Sequence, residues 1–180
     1  MTGAVSYRPR VKICGLRESE HACAAADAGA DFLGLNFVDG VRRQLRPDEG
    51  RALLHEYRSR PRPAGSGDPK VAGLFRNQPI DWVKSVIKDA RLDLAQLCGD
   101  EDPGYAAELG VPVLRQVRIR PEHSVADVAR AAREWLDLGH MALLDSYDPR
   151  TPGGTGVTFD WRSAEGVAGL EGVLLAGGLT

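Results

Sequence analysis

No run of about 18 consecutive apolar residues, the least that crosses a bilayer, occurs anywhere in the chain. Met1 to Arg10 likewise holds no apolar segment able to act as a signal core. Cysteine is scarce: Cys14, Cys23 and Cys98 are odd in number and lack any CxxC spacing, which argues against a disulfide framework and against a structural zinc site. No pair among His21, His55, His123 and His140 has metal-ligand spacing. An excess of charge of one sign is also missing. The formal net charge is -2, and Lys and Arg are dispersed along the chain, so there is no basic field for a nucleic-acid backbone. What these absences leave is a soluble cytoplasmic protein that meets neither nucleic acid nor membrane and whose partner is a small molecule.

What is present is alternation. Val11 to Cys14 reads as a strand broken by Gly15, and Glu18 to Ala28 as a helix with Ala22, Ala25 and Ala26 at helical spacing and Gly29 behind it. Asp31 to Val38 is a second strand, and Pro47 to Arg60 a second helix opened by Pro47. A Pro/Gly/Ser-rich loop, 61 to 69, reads as solvated and mobile. The alternation then resumes: strands at Val71 to Phe75, Leu92 to Leu97, Val111 to Ile119, Met141 to Asp145 and Gly172 to Ala176; helices at Asp81 to Ala90, Pro103 to Leu109, Ser124 to Leu138 and, short and poor, Trp161 to Ala168.

Strands alternating with helices indicate parallel βαβ units in one α/β domain. A doubly wound sheet and a (β/α)8 barrel compete. The G-x-G-x-x-G that opens a dinucleotide site is missing after the first strand, while polar residues stand at several strand ends, which favours the TIM-barrel type. The chain stops at Thr180, just past the seventh strand. The expectation is a single barrel domain over residues 1–180, truncated after strand seven and lacking the eighth βα unit.

Barrel enzymes carry their chemistry at the C-terminal ends of strands. Cys14 ends the first strand and shares a face with Lys12. A thiol becomes a useful base in an electropositive, partly exposed setting; otherwise it is a small buried hydrophobe. Asp145 ends the apolar run Met141 to Leu144, a place for an acid-base group, a cap or a loop-ordering carboxylate. Gly153 to Gly156 and Gly177-Gly178 suit backbone amides closing on an anion, or simply turn the chain. Arg42-Arg43, beyond the second strand, stand where a carboxylate would be clamped, or else form a solvated surface. Cys98, after the fourth strand, faces the same mouth.

Several collinear segments carry a resemblance. They are Lys12-Ile13-Cys14-Gly15-Leu16; Gly29-Ala30-Asp31-Phe32-Leu33-Gly34 with Phe37; Gly73-Leu74-Phe75 with Asn77-Gln78; and Gln96-Leu97-Cys98-Gly99-Asp100-Glu101. Leu144-Asp145-Ser146, Gly153-Gly154-Thr155-Gly156 with Phe159-Asp160-Trp161, and Leu175-Ala176-Gly177-Gly178-Leu179 complete the set. In this order the chain resembles phosphoribosylanthranilate isomerase, the tryptophan-pathway (β/α)8 barrel.

The resemblance implies an Amadori rearrangement of a phosphorylated small molecule, with no metal and no redox cofactor. It makes Cys14 the general base and Asp145 the general acid, sets Arg43 against the anthranilate carboxylate, and gives the phosphate to Gly154, Thr155, Gly156, Gly177 and Gly178. The chain departs from the family at Val41-Arg42, where Ser-Pro or Ser-Lys is usual, and at Cys98, where histidine is usual. With the eighth unit missing, the 180-residue chain is expected to be weakly active or inactive. The alternatives are a non-catalytic or self-associating partial barrel with open edges, and a sugar-phosphate isomerase of the same fold acting on another substrate.

Overall fold

The structure is a computed structural model, which describes residues 8–61, 67–146 and 160–178. Its elements run β1 (Lys12–Cys14), α1 (Ser19–Asp27), β2 (Phe32–Asn36), α2 (Pro47–Ser59), β3 (Lys70–Phe75), α3 (Ile80–Ala90), β4 (Leu94–Leu97), α4 (Pro103–Glu108), β5 (Val113–Ile119), α5 (Val125–Leu136), β6 (Met141–Ser146), a 3-10 turn (Trp161–Ala164) and β7 (Val173–Leu175). The strands form a 7-stranded sheet in sequence order, and every neighbouring pair is parallel. A doubly wound sheet reverses its strand order at a switch point. Strands that succeed one another in a single direction are those of a barrel wall, so the TIM-barrel type holds.

Local chemistry explains the element ends. Ser124 caps α5: the Asp127 amide donates to Ser124 Oγ at 3.2 Å and the Ser124 amide to Asp127 Oδ2 at 3.1 Å. The Ser124 hydroxyl, followed by Arg130, pulls the Asp127 carboxyl down to about 2. β5 begins at Val113 rather than Val111, because Pro112 has no amide to give the ladder and only its carbonyl is used, by Ala95 N at 3.0 Å. The poor helix expected over Trp161 to Ala168 shrinks to a single 3-10 turn, since Gly166 adopts φ +81 and ends it. Of loop 61 to 69, residues 62–66 lie outside the described residues.

Alternation along each strand sorts the core into layers. Phe32, Ala72, Leu94, Leu114, Leu143 and Leu174 form one buried cluster on the concave side, with Met141 and Ala176 packed against it. Their strand neighbours Leu33, Leu35, Val71, Phe75, Ala95, Leu97 and Val113 face the other way and pack against α1, α2 and α3 through Ala22, Leu54, Val83, Val86 and others. A third cluster joins Val117 and Leu144 to Val128, Ala132 and Val167. Gly50 lets α2 lie close on β2, since a Cβ there would stand 2.6 Å from the Phe37 ring.

Phe75 is fully buried, stacked on Phe37 with centroids 5.6 Å apart and edge-on to Trp82 at 6.2 Å. Phe75→Ala is therefore expected to cost about 3–5 kcal/mol, read as a lower urea midpoint at unchanged slope.

Candidate active site

Strand alternation that packs the lower interior with apolar groups also sets polar ones above them. Two residues beyond Phe32 and Leu94 in the same parity come Gly34 and Gln96; beyond Leu114 comes Gln116 and beyond Leu143 comes Asp145. Lys12, Cys14, Asn36, Cys98 and Arg118 follow the same parity. The C-terminal end of the sheet is thus polar inside, with a thiol on β1 and a carboxylate on β6.

Cys14 is half-buried and free. Its strand partner is Gly34, and a Cβ at Gly34 would lie 3.0 Å from Cys14 Sγ and 3.0 Å from Lys12 Nζ. Gly15 at φ +77 ends β1, and its amide and that of Leu16 both donate to the Gly34 carbonyl, at 2.8 and 3.1 Å. Arg43 closes over this turn: its Nη1 donates to the Cys14 carbonyl at 3.1 Å, and a Cβ at Gly15 would strike its Nε at 2.7 Å. The loop after β2 folds back to allow it, since Leu45 N donates to the Asn36 carbonyl at 2.7 Å and Gln44 Nε2 to Asp39 Oδ1 at 2.8 Å. Both paired arginines are exposed, and Arg43 is the one the structure brings to the strand end.

Asp145 is half-buried on β6. Gln116 Nε2, from β5, donates to its Oδ2 at 2.7 Å. On the other side Gly177, at φ +86, approaches so closely that a Cβ would stand 3.1 Å from Asp145 Oδ1 and 2.8 Å from Ser146 Oγ. Arg118, the register partner of Asp145, donates through Nη2 to the Cys98 carbonyl.

Cys98 receives a hydrogen bond on its sulfur from Gln96 Nε2 at 3.3 Å. Burial pushes its thiol up to about 11; the nearby Cys14 adds to the rise, and the Gln96 amide and Lys12 partly offset it. Gln96 is 3% exposed, and its Oε1 is a buried acceptor with no partner among the described residues.

A buried carboxylate ties the rim together. Glu101, its side chain 2% exposed, accepts from the Asn77 amide at 2.6 Å, the Gly99 amide at 2.8 Å and Arg115 Nη1 at 3.0 Å. Arg115 also donates to the Gly99 carbonyl at 2.9 Å and lies 5.3 Å over the Trp135 ring. Asn77, at φ 58, fits beside Gly99 only because glycine lacks a Cβ, which would fall 2.0 Å from Asn77 Oδ1.

Cys14, Arg43, Asp145 and Gly177 accordingly stand at the C-terminal edge of one sheet, with Gly178 next in sequence at φ 64. Gly154, Thr155 and Gly156 lie outside the described residues. Among the described residues no group of three His, Cys, Asp or Glu could hold a metal ion, and no helix is long and apolar enough to cross a membrane. Sequence reasoning missed Gln116 and Arg118. Three polar side chains, Arg115, Gln116 and Arg118, interrupt β5, and only the inward parity of Leu114 tells which of them face the site.

Two outcomes follow. Arg115→Ala strands a buried Glu101 charge and is expected to destabilise by about 3–5 kcal/mol, read in urea. Cys98 should alkylate slowly at and below pH 9.0, its rate still rising toward about 11. Its folded value lies above the unfolded one, so the stability that the buried thiol contributes is complete below 9.0 and is lost as pH rises toward 11. Comparing the alkaline stability of Cys98→Ala with that of the unmodified chain reads this loss.

A family model described as N-(5'phosphoribosyl)anthranilate (PRA) isomerase matches residues 11–180. An N-(5'-phosphoribosyl)anthranilate isomerase of Syntrophomonas wolfei is 38% identical over 170 residues, covering 94% of this chain and 76% of the relative. One from Geobacter metallireducens is 35% identical over 174 residues, covering 95% and 78%. Among solved structures, the phosphoribosyl anthranilate isomerase of Thermus thermophilus superposes with a TM-score of 0.74 at 30% identity, covering 96% of this chain and 78% of that one. With a thiol, a carboxylate and an arginine at its strand ends, the chain belongs to the N-(5'-phosphoribosyl)anthranilate isomerase family.

Proposed function

We propose that the chain isomerises N-(5'-phosphoribosyl)anthranilate to 1-(o-carboxyphenylamino)-1-deoxyribulose 5-phosphate, an Amadori rearrangement in tryptophan biosynthesis, and that residues 1–180 act as one barrel-type domain. The observation that carries the reading is the pair of groups facing one interior, a half-buried thiol on β1 and a half-buried carboxylate on β6 held by Gln116 at 2.7 Å.

The rearrangement needs a proton delivered to one atom and removed from another of the same sugar. Asp145, protonated, gives its proton to the ribose ring oxygen; the bond from C1 to that oxygen breaks, and the nitrogen lone pair leaves a Schiff-base cation. Cys14 as thiolate then takes the proton from C2, whose electrons neutralise the cation as an enolamine. Tautomerisation to the ketone completes the isomerisation with no change in composition. Arg43, bonded to the Cys14 carbonyl at 3.1 Å, offers its remaining donors to the anthranilate carboxylate. Gly177 and Gly178, with Gly154, Thr155 and Gly156, supply the amides for the phosphate. Gln96 Oε1, buried and without a partner among the described residues, is an acceptor available to a substrate hydroxyl or amine.

Turnover of N-(5'-phosphoribosyl)anthranilate, followed with protein in excess of substrate so that slow conversion is read, tests the proposal. Cys14→Ala and Asp145→Asn should each lower the rate by about 100- to 10,000-fold. Turnover by the unmodified chain that is unaltered in either variant would sink the reading.

A further inference from the structure

We propose that Lys12 is the counter-charge of the Cys14 thiolate, a positioning residue that keeps this sulfur deprotonated and aimed at the interior. The proposal deepens the reading of Cys14 as the base and rests on it.

Two residues apart on β1, the side chains share a face. Their ends meet over one point, since Lys12 Nζ and Cys14 Sγ each lie 3.0 Å from where a Gly34 Cβ would be. Gly34 is not at positive φ, so the glycine here supplies room rather than an unusual backbone, and the room is filled by the ammonium and the thiol. Lys12 is half-buried, and among the described residues no carboxylate stands within ion-pair distance of it. Among the described residues the sulfur is the group that shares this space with the ammonium, and an opposite charge close to a thiol favours its charged form.

The other groups around the sulfur do not take this role. On β2, Gly34 and Asn36 are neutral. From β4 comes Cys98, a thiol at about 11 and so neutral itself, whose titration feels both Cys14 and Lys12. Arg43 spends its Nη1 on the Cys14 carbonyl, at the main chain rather than the sulfur. Arg118 of β5 is bonded to the Cys98 carbonyl, and Asp145 of β6 to Gln116.

Peptide-resolved alkylation of the full chain by iodoacetamide, measured across pH, reads the Cys14 midpoint without any need for turnover. Lys12→Gln is expected to raise that midpoint by about one pH unit or more, a tenfold loss of thiolate at a fixed lower pH, and Lys12→Arg to restore most of it. Lys12→Met, which keeps the apolar stem, carries the same test should Lys12→Gln fail to fold. Where turnover is measured, the acid limb of kcat/KM should move with the alkylation midpoint and KM should stay. An unchanged midpoint in Lys12→Gln and Lys12→Met, or a rise in KM alone, overturns the proposal. A shifted midpoint in a chain without turnover supports the ion pair while removing the catalytic reading of Cys14.

Discussion

Alternation along parallel strands is the constraint on which the molecule depends. A strand residue and the one two further on face the same way, so a position filled by leucine in the lower interior commits the next inward position to the site. Leu114 commits Gln116, Leu143 commits Asp145, and Leu94 commits Gln96. A shift of one residue in any ladder would send the reactive group into the helix layer and bring an apolar neighbour inside. The packing that stabilises the sheet thereby also orients the site.

Orientation also needs a fixed rim. The loops after β3 and β4 lie on Glu101, whose oxygens meet two backbone amides and Arg115. Buried charge is costly unless paired and hydrogen-bonded, and here the partners belong to different elements, so satisfying the carboxylate fixes the ends of β3, β4 and β5 against one another. Arg115 works on the helix side of β5 while Gln116, one residue on, bonds Asp145 inside. A single strand therefore carries both the brace and a site contact.

The two thiols at this end of the sheet differ by environment. Cys98 sits in buried surroundings with an amide on its sulfur and is held protonated. Cys14 shares the space over Gly34 with an ammonium and lies under a guanidinium bonded to its carbonyl. Burial disfavours a thiolate and neighbouring cations favour it, so two cysteines of identical chemistry meet opposite electrostatic surroundings. Glycine is what permits both approaches to β1, at Gly15 for Arg43 and at Gly34 for Lys12 and Cys14.

By itself the sequence determined the order and kind of the elements and the strand ends where Cys14 and Asp145 stand, because hydrophobic period, Pro47 at a helix start and Gly15 at a strand end are local signals that act within a few residues. It misjudged the segment after Trp161, where a weak pattern met Gly166, and the start of β5, where Pro112 has no amide to pair. Contacts between residues far apart in the chain were not legible: Gln116 on Asp145, the packing of Arg43 over Gly15, Arg115 on Glu101, and Lys12 and Cys14 converging on Gly34. Only the tertiary structure decided these, since each depends on the register between strands, and register is fixed by the packing of the whole sheet rather than by any residue and its neighbours.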